Sequence, residues 1–146
     1  MTDGIDAIVL EARLHELSCR LRRIAARRPR TARALAADED LQDILARNLE
    51  VAIQTCAEIA FHLCAAHRAM PASAGDAFSE LGRLGLIDPV LAERLRLAAG
   101  FRNVLVHEYT QIDWNIVLQA AHTGTRDLAA FGKVVIKILE KQPDLT

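Results

Sequence analysis

The sequence predicts an all-α fold, an antiparallel bundle of four to five helices that forms one domain over residues 1–146. Hydrophobic residues make up 51% of the chain but aromatic residues only 4%, and alanine and leucine supply most of the apolar surface. Because strands favour aromatic and β-branched side chains whereas alanine and leucine favour helices, this balance argues against a sheet. Apolar residues also recur at helical spacing, and Asp and Pro stand at the expected helix boundaries.

The first two predicted helices each carry an apolar stripe. In the first, which Pro29 ends, the stripe is spaced four and three residues apart and consists of Leu10, Leu14, Leu17, Leu21 and Ile24. The second helix is long, from Asp40 to Arg68, with Asp38 or Asp40 as its cap and Pro71 closing it. Its inner face is expected to hold Leu41, Leu45, Ala52, Cys56, Ile59 and Leu63.

A loop at residues 69–76 separates the second helix from a short third one. This third helix begins at Ala77 and is weakened by Gly82 and Gly85. Glycine is unfavourable inside helices because it loses the most conformational freedom on folding. We therefore expect the third helix to be the least regular of the bundle.

The last two predicted helices have clear start signals. Asp88–Pro89 supplies an N-cap followed by proline in the first helical position, so a fourth helix is expected from there to residue 107. Asp113 can cap a fifth helix, in which Gly124 marks a weak point. The resulting elements suit a helical bundle with short connections.

The sequence also indicates where the protein is located and in what state its cysteines are. No apolar run approaches the roughly 18–20 residues that a membrane span needs, and the first residues lack a signal-peptide layout. We therefore expect a cytoplasmic protein without a membrane partner. Cys56 and Cys64 lie eight residues apart near one helix face, no C-x-x-C occurs, and buried reduced thiols are expected.

A metal site is not expected. His62, Cys64 and His67 have ligand chemistry, but their helical directions diverge and no second cluster completes a four-ligand set. We predict neither a metal nor another cofactor for this chain.

Charge is distributed unevenly along the chain, although the net charge is only −1. Between Ser18 and Leu35 there are seven arginines and no acidic residue. Two interpretations stay open. In the first, the arginines form a solvated helix end, where the helix dipole favours cations. Alternatively they form an electropositive surface that attracts phosphates.

The strongest candidate for chemistry is the stretch GFRNVLVHEYT at residues 100–110. The sequence contains no Gly-rich phosphate loop, no G-x-S-x-G, no H-E-x-x-H and no recognisable carboxylate pair. A purely structural interpretation is available, in which Arg102 pairs with an acid or faces solvent while His107 and Tyr109 end a helix. In that interpretation the apolar residues of the stretch fill the core.

A functional interpretation follows from the residue types. Arg102 is a permanent cation whose fork suits phosphate oxygens, His107 can exchange a proton near neutral pH, and Asn103 can hydrogen-bond to either partner. Cleaving a phosphodiester without a metal needs a proton acceptor and a cation on the phosphate. RNA, unlike DNA, supplies its own nucleophile in the 2′-hydroxyl. Under this interpretation RNA suits the site better than DNA.

The spacing of Arg102 and His107 raises a geometric difficulty. Five positions correspond to about 500° on an ideal helix, so the two side chains point roughly 140° apart. Two explanations are open. The helix could loosen near residues 106–107 and let His107 turn towards Arg102, or the site could combine an Arg and a His from two subunits.

The motif order R-N-x-x-x-H-x-Y at Arg102, Asn103, His107 and Tyr109 resembles the R-x4-H-x-Y motif of HEPN-domain proteins of the HepT type. No motif position departs from that pattern. Other segments are similar to the same family in the same order, namely GFRNVLVHEYTQIDW, DLQDILARNLEVAIQTCAEIAFHL and PASAGDAFSELGRLGLIDPVLAERLRLAAG. The resemblance therefore covers almost the whole chain.

The resemblance implies an α-helical homodimer in which the two motifs meet across a two-fold axis. It implies a metal-independent endoribonuclease that acts as the toxin of a bacterial toxin–antitoxin pair. Arg102 would hold the scissile phosphate, His107 would act as general acid or base, and Asn103 would orient the imidazole or the phosphate. The implied partner is a nucleotidyltransferase antitoxin that transfers AMP from ATP to Tyr109 and so silences the toxin.

Two further hypotheses remain from the sequence. The chain could be a non-catalytic HEPN module that binds nucleotide or presents Tyr109 to the transferase without cutting RNA. It could also be a helical bundle with only an interaction role. The intact pair of Arg102 and His107 favours the ribonuclease over the non-catalytic module.

Overall fold

The structure, a computed structural model, describes residues 4–107 and 111–142, and these residues confirm the predicted all-α architecture. No strand occurs within those ranges. The α-helices are α1 Ala7–Arg27, α2 Ala32–Ala36, α3 Glu39–Ala66, α4 Ala74–Arg83, α5 Pro89–His107, α6 Trp114–Gln119 and α7 Thr125–Glu140. A π-helical segment, Ala120–Gly124, joins α6 to α7 without a break.

The long helix α3 lies at the centre, where it contacts α1, α2, α4, α5 and α7. Two side-chain contacts between α1 and α3 show the relative direction of these helices. Arg13 forms an ion pair with Glu58 at 3.1 Å, and Arg20 donates from Nη1 to Oδ1 of Asn48 at 3.2 Å. Since the higher-numbered partner in α1 meets the lower-numbered one in α3, the pair is antiparallel, as predicted.

Aspartate caps fix three helix starts. The side chain of Asp38, rather than Asp40, accepts from the backbone N–H of Leu41 at 3.0 Å and begins α3. Asp88 accepts from Val90 at 2.7 Å, so α5 begins at Pro89 as predicted. The predicted cap Asp113 begins α6. These caps were predictable because an N-cap is a local interaction of a few residues.

The end of α3 differs from the prediction. The helix stops at Ala66, five residues before Pro71, so the proline does not end it. Arg68 adopts a left-handed backbone, φ 60°, and the N–H of Ala69 donates to the carbonyl of Cys64 at 2.8 Å. This is a Schellman turn in which arginine takes the place usually held by glycine.

The helix α4 begins three residues earlier than predicted, at Ala74 instead of Ala77. The hydroxyl of Ser73 accepts from the N–H of Asp76 at 3.1 Å and caps it within the stretch predicted as loop. Gly85, at φ 76°, supplies the left-handed residue that ends α4.

The short helix α2 is an addition to the predicted elements. The hydroxyl of Thr31 accepts from the N–H of Ala34 at 3.1 Å, and Leu35 is fully buried. The available sequence signal was Thr31 itself, a favourable N-cap residue two positions after Pro29.

The core consists of two adjacent clusters. The larger one joins α1, α3, α4, α5 and α7 and includes an edge-to-face contact between Phe78 and Phe131. The smaller one lies where α1 ends and α3 begins, and its members include Ile24, Leu35, Leu45, Leu105 and Val117. We call this end of the bundle the α2 end. Because Leu105 belongs to it, the C-terminal end of α5 lies there as well.

The π-helical segment falls at the weak point predicted around Gly124. The carbonyl of Ala121 accepts from the guanidinium of Arg28 at 3.0 Å and from the hydroxyl of Thr125 at 3.1 Å. His122 Nε2 lies 2.9 Å from the carbonyl of Pro29. The contacts of Arg28 with Ala121 and of His122 with Pro29 thus join the π-helical segment to the turn that follows α1.

Among the described residues, α3 is the one helix with the length and composition of a membrane span, with a mean hydropathy of 1.3 over its most apolar window. The expectation that no segment approaches a span was therefore too strong. However, 56% of that window is buried inside the bundle. The apolarity of α3 is accounted for by its place at the centre of the core.

The two cysteines of α3 are free thiols and fully buried, as predicted, whereas Cys19 is only half-buried. Burial raises the pKa of the Cys56 thiol. Burial, and secondarily the charge of Glu80, raises the pKa of Cys64 to about 11. The same environment makes the thiolate of Cys56 unfavourable, since nothing in a buried site replaces its hydration.

Candidate functional site

All three predicted catalytic residues that the structure describes lie on the C-terminal half of α5. Arg102 is half-buried, whereas Asn103 and His107 are exposed. Tyr109, the predicted modification site, lies outside the described residues. The helix continues through Val106 to His107, so the explanation that it loosens there is wrong. Arg102 and His107 therefore keep the divergent directions of an ideal helix.

Arg102 is distinguished by an unsatisfied donor. Its Nε is buried and has no hydrogen-bond partner among the described residues. The ion pairs found there do not include Arg102 either. A buried donor without a partner costs about 1–3 kcal/mol.

Arg102 lines two clefts. The first is a polar cleft of about 440 Å³ between α1 and α3. Two of its arginines are paired with glutamates of the same cleft, Arg13 with Glu58 at 3.1 Å and Arg47 with Glu50 at 3.3 Å. Arg102 thus contributes positive charge that no carboxylate of the described residues neutralises within ion-pair distance.

The second cleft, of about 390 Å³, lies between the first turn of α4 and the outer side of α5. Its polar lining residues are Ser73, Asp76, Arg96, Arg102 and Asn103. The guanidinium of Arg96 forms two hydrogen bonds with Glu93, at 2.8 and 2.6 Å, in an exposed ion pair. Exposed pairs of this kind contribute little, so Arg96 can exchange its carboxylate for another anion at small cost.

A glycine positions Arg96 in this cleft. A Cβ added at Gly75 would come within 3.3 Å of Cγ of Arg96, so glycine allows the arginine stem to lie across the first turn of α4. Arg96, Ser73 and Gly75 are not among the residues that the sequence predicted for the site. Arg96 was open to recognition, since it lies seven residues before Asn103 and shares its helical face.

His107 lies on a different side of α5 from Arg102, and it lines neither of the two clefts. It shares an exposed face with Leu97, Gly100, Asn103 and Val104, which we call the outer face of α5. Leu97 is 58% exposed and Val104 39% exposed, and Ile116 of α6, which lines a pocket with Leu97, is 51% exposed. The outer face is thus partly apolar, which is unusual for a surface that meets only water.

The three residues considered as metal ligands are engaged elsewhere. His62 accepts at Nε2 from the backbone N–H of Asp6 at 3.0 Å, and Cys64 contacts the carbonyl of Ala77 at 3.5 Å. His67 Nδ1 lies 2.9 Å from the carbonyl of Leu63. Over residues 4–107 and 111–142, no group of three His, Cys, Asp or Glu side chains is arranged to hold a metal ion.

Comparison with known proteins identifies related chains. The model of a family described as Ribonuclease HepT-like matches residues 17–135. The mRNA nuclease HepT of Shewanella oneidensis is 30% identical over 99 residues, which cover 67% of this chain and 74% of that protein. The tRNA nuclease HepT of Aphanizomenon flos-aquae is 47% identical over 45 residues, 31% of each chain.

Solved structures share the fold. A tri-AMPylated HEPN toxin of Shewanella oneidensis, in complex with the MNT antitoxin, superposes with a TM-score of 0.83 at 24% identity and covers 91% of this chain and 99% of that one. YutE of Bacillus subtilis, a cytosolic protein of unknown function, superposes with a TM-score of 0.79 at 18% identity, covering 97% and 96% of the two chains. At these identities the likeness concerns the arrangement of helices.

Proposed function

Because the chain belongs to the ribonuclease HepT-like family, we propose that it is a metal-independent endoribonuclease, a single helical domain that serves as the toxin of a bacterial toxin–antitoxin pair. Two relatives named as mRNA and tRNA nucleases support this proposal. The structural observation that carries it is the guanidinium of Arg102, which presents a buried and unpaired Nε beside two clefts. Since the side chain lines both clefts and forms no ion pair there, a phosphate oxygen in either cleft can be bound by the guanidinium.

The proposed reaction uses RNA as its own nucleophile. Arg102 binds a non-bridging oxygen of the scissile phosphate and stabilises the charge that develops there. His107 accepts the proton of the 2′-hydroxyl as its oxygen attacks phosphorus, and Asn103 orients the imidazole or the phosphate. The bond to the 5′-oxygen breaks, that oxygen takes up a proton from water, and His107 releases to water the proton that it accepted. The products are a 2′,3′-cyclic phosphate and a 5′-hydroxyl.

In this proposal a homodimer brings Arg102 and His107 to the same phosphate. Arg102 and His107 of one chain diverge by about 140°, so they cannot both face one phosphate from the same regular helix. Two copies of α5 that pack by their outer faces would bury Leu97 and Val104. The same packing would bring His107 of the partner subunit towards Arg102. The exposed apolar side chains of that face support this arrangement.

The proposed partner is a nucleotidyltransferase antitoxin that transfers AMP from ATP to Tyr109. The HEPN toxin of Shewanella oneidensis, described as tri-AMPylated and in complex with its antitoxin, supports this partner and this chemistry. Tyr109 follows His107 by two residues, so a nucleotide on its hydroxyl would add bulk and negative charge next to the catalytic base. Both effects oppose the binding of a polyanion. We place the protein in the cytoplasm, in line with the cytosolic protein of the same fold.

Cleavage of RNA by the purified protein in the presence of EDTA tests the proposed activity. We expect the wild type to produce 2′,3′-cyclic phosphate ends and Arg102→Ala and His107→Ala to be inactive. Expression of the wild type alone should arrest growth, whereas neither variant should. If the wild type leaves RNA intact and cells unharmed, the chain is a non-catalytic HEPN module instead.

Mass spectrometry after co-expression with a neighbouring nucleotidyltransferase tests the regulatory part. The chain contains a single tyrosine, so Tyr109→Phe removes every tyrosine that the transferase could modify. We expect added AMP on the wild-type peptide that holds Tyr109 and none on the Phe variant. AMP found on the Phe variant, or on neither protein, would remove Tyr109 from this role.

A further inference from the structure

The seven arginines at residues 20–33 divide into two groups in the structure. Two of them hold the fold together. Arg20 donates to Glu16 at 2.9 Å and to Asn48 at 3.2 Å, and Arg28 donates to the carbonyl of Ala121 at 3.0 Å. The other five are exposed, and we call them the arginine surface: Arg22, Arg23, Arg27, Arg30 and Arg33.

The arginine surface lacks carboxylate partners. None of its five members forms an ion pair with an acid of the described residues, and Arg22 makes only a 3.6 Å contact with the sulfur of Cys19. Elsewhere in the described residues most arginines lie within 4 Å of a carboxylate, namely Arg13, Arg47, Arg83, Arg94 and Arg96. Arg68, Arg102 and Arg126 form no such ion pair, but they stand singly in the sequence. The arginine surface is therefore where five unpaired arginines occur within one short stretch of the chain.

The helix dipole does not account for the cluster. Its effect falls off within the last turn of a helix. Arg27 lies in the last turn of α1 and Arg33 in the last turn of the short helix α2. Arg22 and Arg23 precede the last turn of α1, and Arg30 lies between the two helices, so the dipole leaves three of the five arginines unexplained. The acids that come next in sequence, Asp38 to Asp40, lie at the start of α3. There they interact favourably with the positive end of the α3 dipole and do not pair with the arginines.

The arginine surface lies at the α2 end of the bundle, which also holds the C-terminal end of α5. Ile24 of α1, Leu35 of α2 and Leu105 of α5 pack in one cluster. Arg23 is adjacent in sequence to the first of these residues, and His107 follows the last by two positions. A long anion bound near His107 can thus extend onto the arginine surface at the same end.

We propose that the arginine surface is a second RNA-binding site, which holds backbone phosphates outside the catalytic cleft. This inference rests on the proposed ribonuclease function. Guanidinium groups bind phosphate oxygens through paired donors and keep their charge at every physiological pH. Since phosphate contacts carry no base information, the site increases affinity and association rate for long RNA without choosing the cleavage position. RNA is favoured over an acidic protein because the surface shares its end of the bundle with His107.

A charge-removal variant tests the proposal. Arg23→Gln, Arg27→Gln and Arg30→Gln are combined in the cleavage-silent His107→Ala background, and binding to a labelled single-stranded RNA is measured across a salt series. Each phosphate contact of a single strand contributes about 0.7 to the slope of log K against log salt, so the slope should become shallower by about 2. A matched control removes three positive charges far from the α2 end, at Arg68, Arg83 and Lys141, and should leave the slope unchanged.

Two further measurements separate this inference from the proposed function. In the active background, the arginine variant should cleave long RNA less efficiently while cutting a dinucleotide at the wild-type rate. Changing the same three residues to lysine should retain most of the slope, which guards against a folding artefact. If the wild type cuts no RNA, the proposed function fails, while binding can still be scored. An unchanged salt slope overturns the second site, as does a variant that keeps RNA binding but no longer binds the nucleotidyltransferase.

Discussion

Arg102 and His107 lie on one continuous helix yet point about 140° apart, because α5 stays helical from Pro89 through His107. Arg102 faces the side of α5 that packs towards α3, and His107 faces the exposed side. In the proposed dimer, a single phosphate would contact Arg102 of one chain and His107 of its partner.

Mixing two inactive proteins tests this directly. If each site combines Arg102 of one subunit with His107 of the other, a heterodimer of Arg102→Ala and His107→Ala chains keeps one intact pair. Random exchange of equal amounts should then restore roughly a quarter of the wild-type activity, since half of the dimers are mixed and each has one working site. RNA cleavage after co-refolding is the measurement.

The control for this experiment is the double variant, Arg102→Ala with His107→Ala, mixed with wild type. In that mixture each site of a heterodimer lacks either Arg102 or His107, so only wild-type homodimers cleave RNA and activity should fall to about a quarter of that of the same total amount of wild type. Absence of any recovery in the first mixture would mean that both residues act within one chain.

Replacing Arg102 should cost activity but little stability. Its Nε has no hydrogen-bond partner in the described part of the chain, so Arg102→Ala removes an unsatisfied buried donor and breaks no ion pair there. We expect the free energy of unfolding to change by less than about 1 kcal/mol and cleavage to fall by about 10²–10⁴-fold. Arg102→Lys should keep the charge but lose the planar fork, and remain largely inactive. Urea unfolding and cleavage rates measure the two effects, and a large loss of stability would instead assign Arg102 to the fold.

The contact between α4 and α5 depends on Gly82. A Cβ added there would lie 2.8 Å from Cβ of Ala92, closer than side chains approach in folded proteins. Gly82→Ala should therefore destabilise the protein by about 1–3 kcal/mol, although alanine is the better helix former. Thermal or chemical unfolding is the measurement.

The double variant Gly82→Ala, Ala92→Gly tests whether the loss of stability comes from a clash between the two Cβ atoms. It restores the space between the helices, so it should be more stable than the sum of the two single changes by about 1 kcal/mol or more. Gly124→Ala is a matched control, because the added Cβ would meet Cβ of Ala120 at an ordinary 3.6 Å. Additive effects in the double variant would argue against a steric origin.

The cysteines should differ sharply in reactivity. Burial raises the pKa of Cys56, and burial with the charge of Glu80 raises that of Cys64 to about 11, so at pH 8 both hold far less of the reactive thiolate than an ordinary thiol. We expect an alkylating reagent to label Cys19 in the folded protein and all three cysteines after unfolding. Labelling of Cys56 as fast as Cys19 would show that the core opens readily.

The boundaries that depend on neighbouring residues were predictable from the sequence. Asp88, Asp113 and Pro29 act within a few positions, and the helices that they delimit agree with the structure. The end of α3 was not predictable in the same way, because the left-handed turn at Arg68 uses a residue that disfavours it. Proline at position 71 gave a stronger but misleading stop signal.

The candidate site, too, was predictable from the sequence only in part. The residue types at 102, 103 and 107, and their resemblance to a family motif, were readable from the sequence. The cleft that brings Ser73 of α4 near Arg96 and Asn103 of α5 was not, since it arises from packing of two helices against α3. Whether α5 loosened before His107 could only be decided by the structure, because valine-rich helix ends are compatible with either conformation.

The turn after α1 is held at its first two residues by the π-helical segment, through Arg28 to Ala121 and His122 to Pro29. Its backbone is therefore ordered before any ligand arrives, so binding by the arginines on either side of it costs side-chain entropy but little backbone entropy. Preorganisation of this kind raises affinity without adding a contact. The π-helical segment thus holds the neighbouring turn rigid, and we expect its loss to weaken the binding of phosphates by the arginine surface.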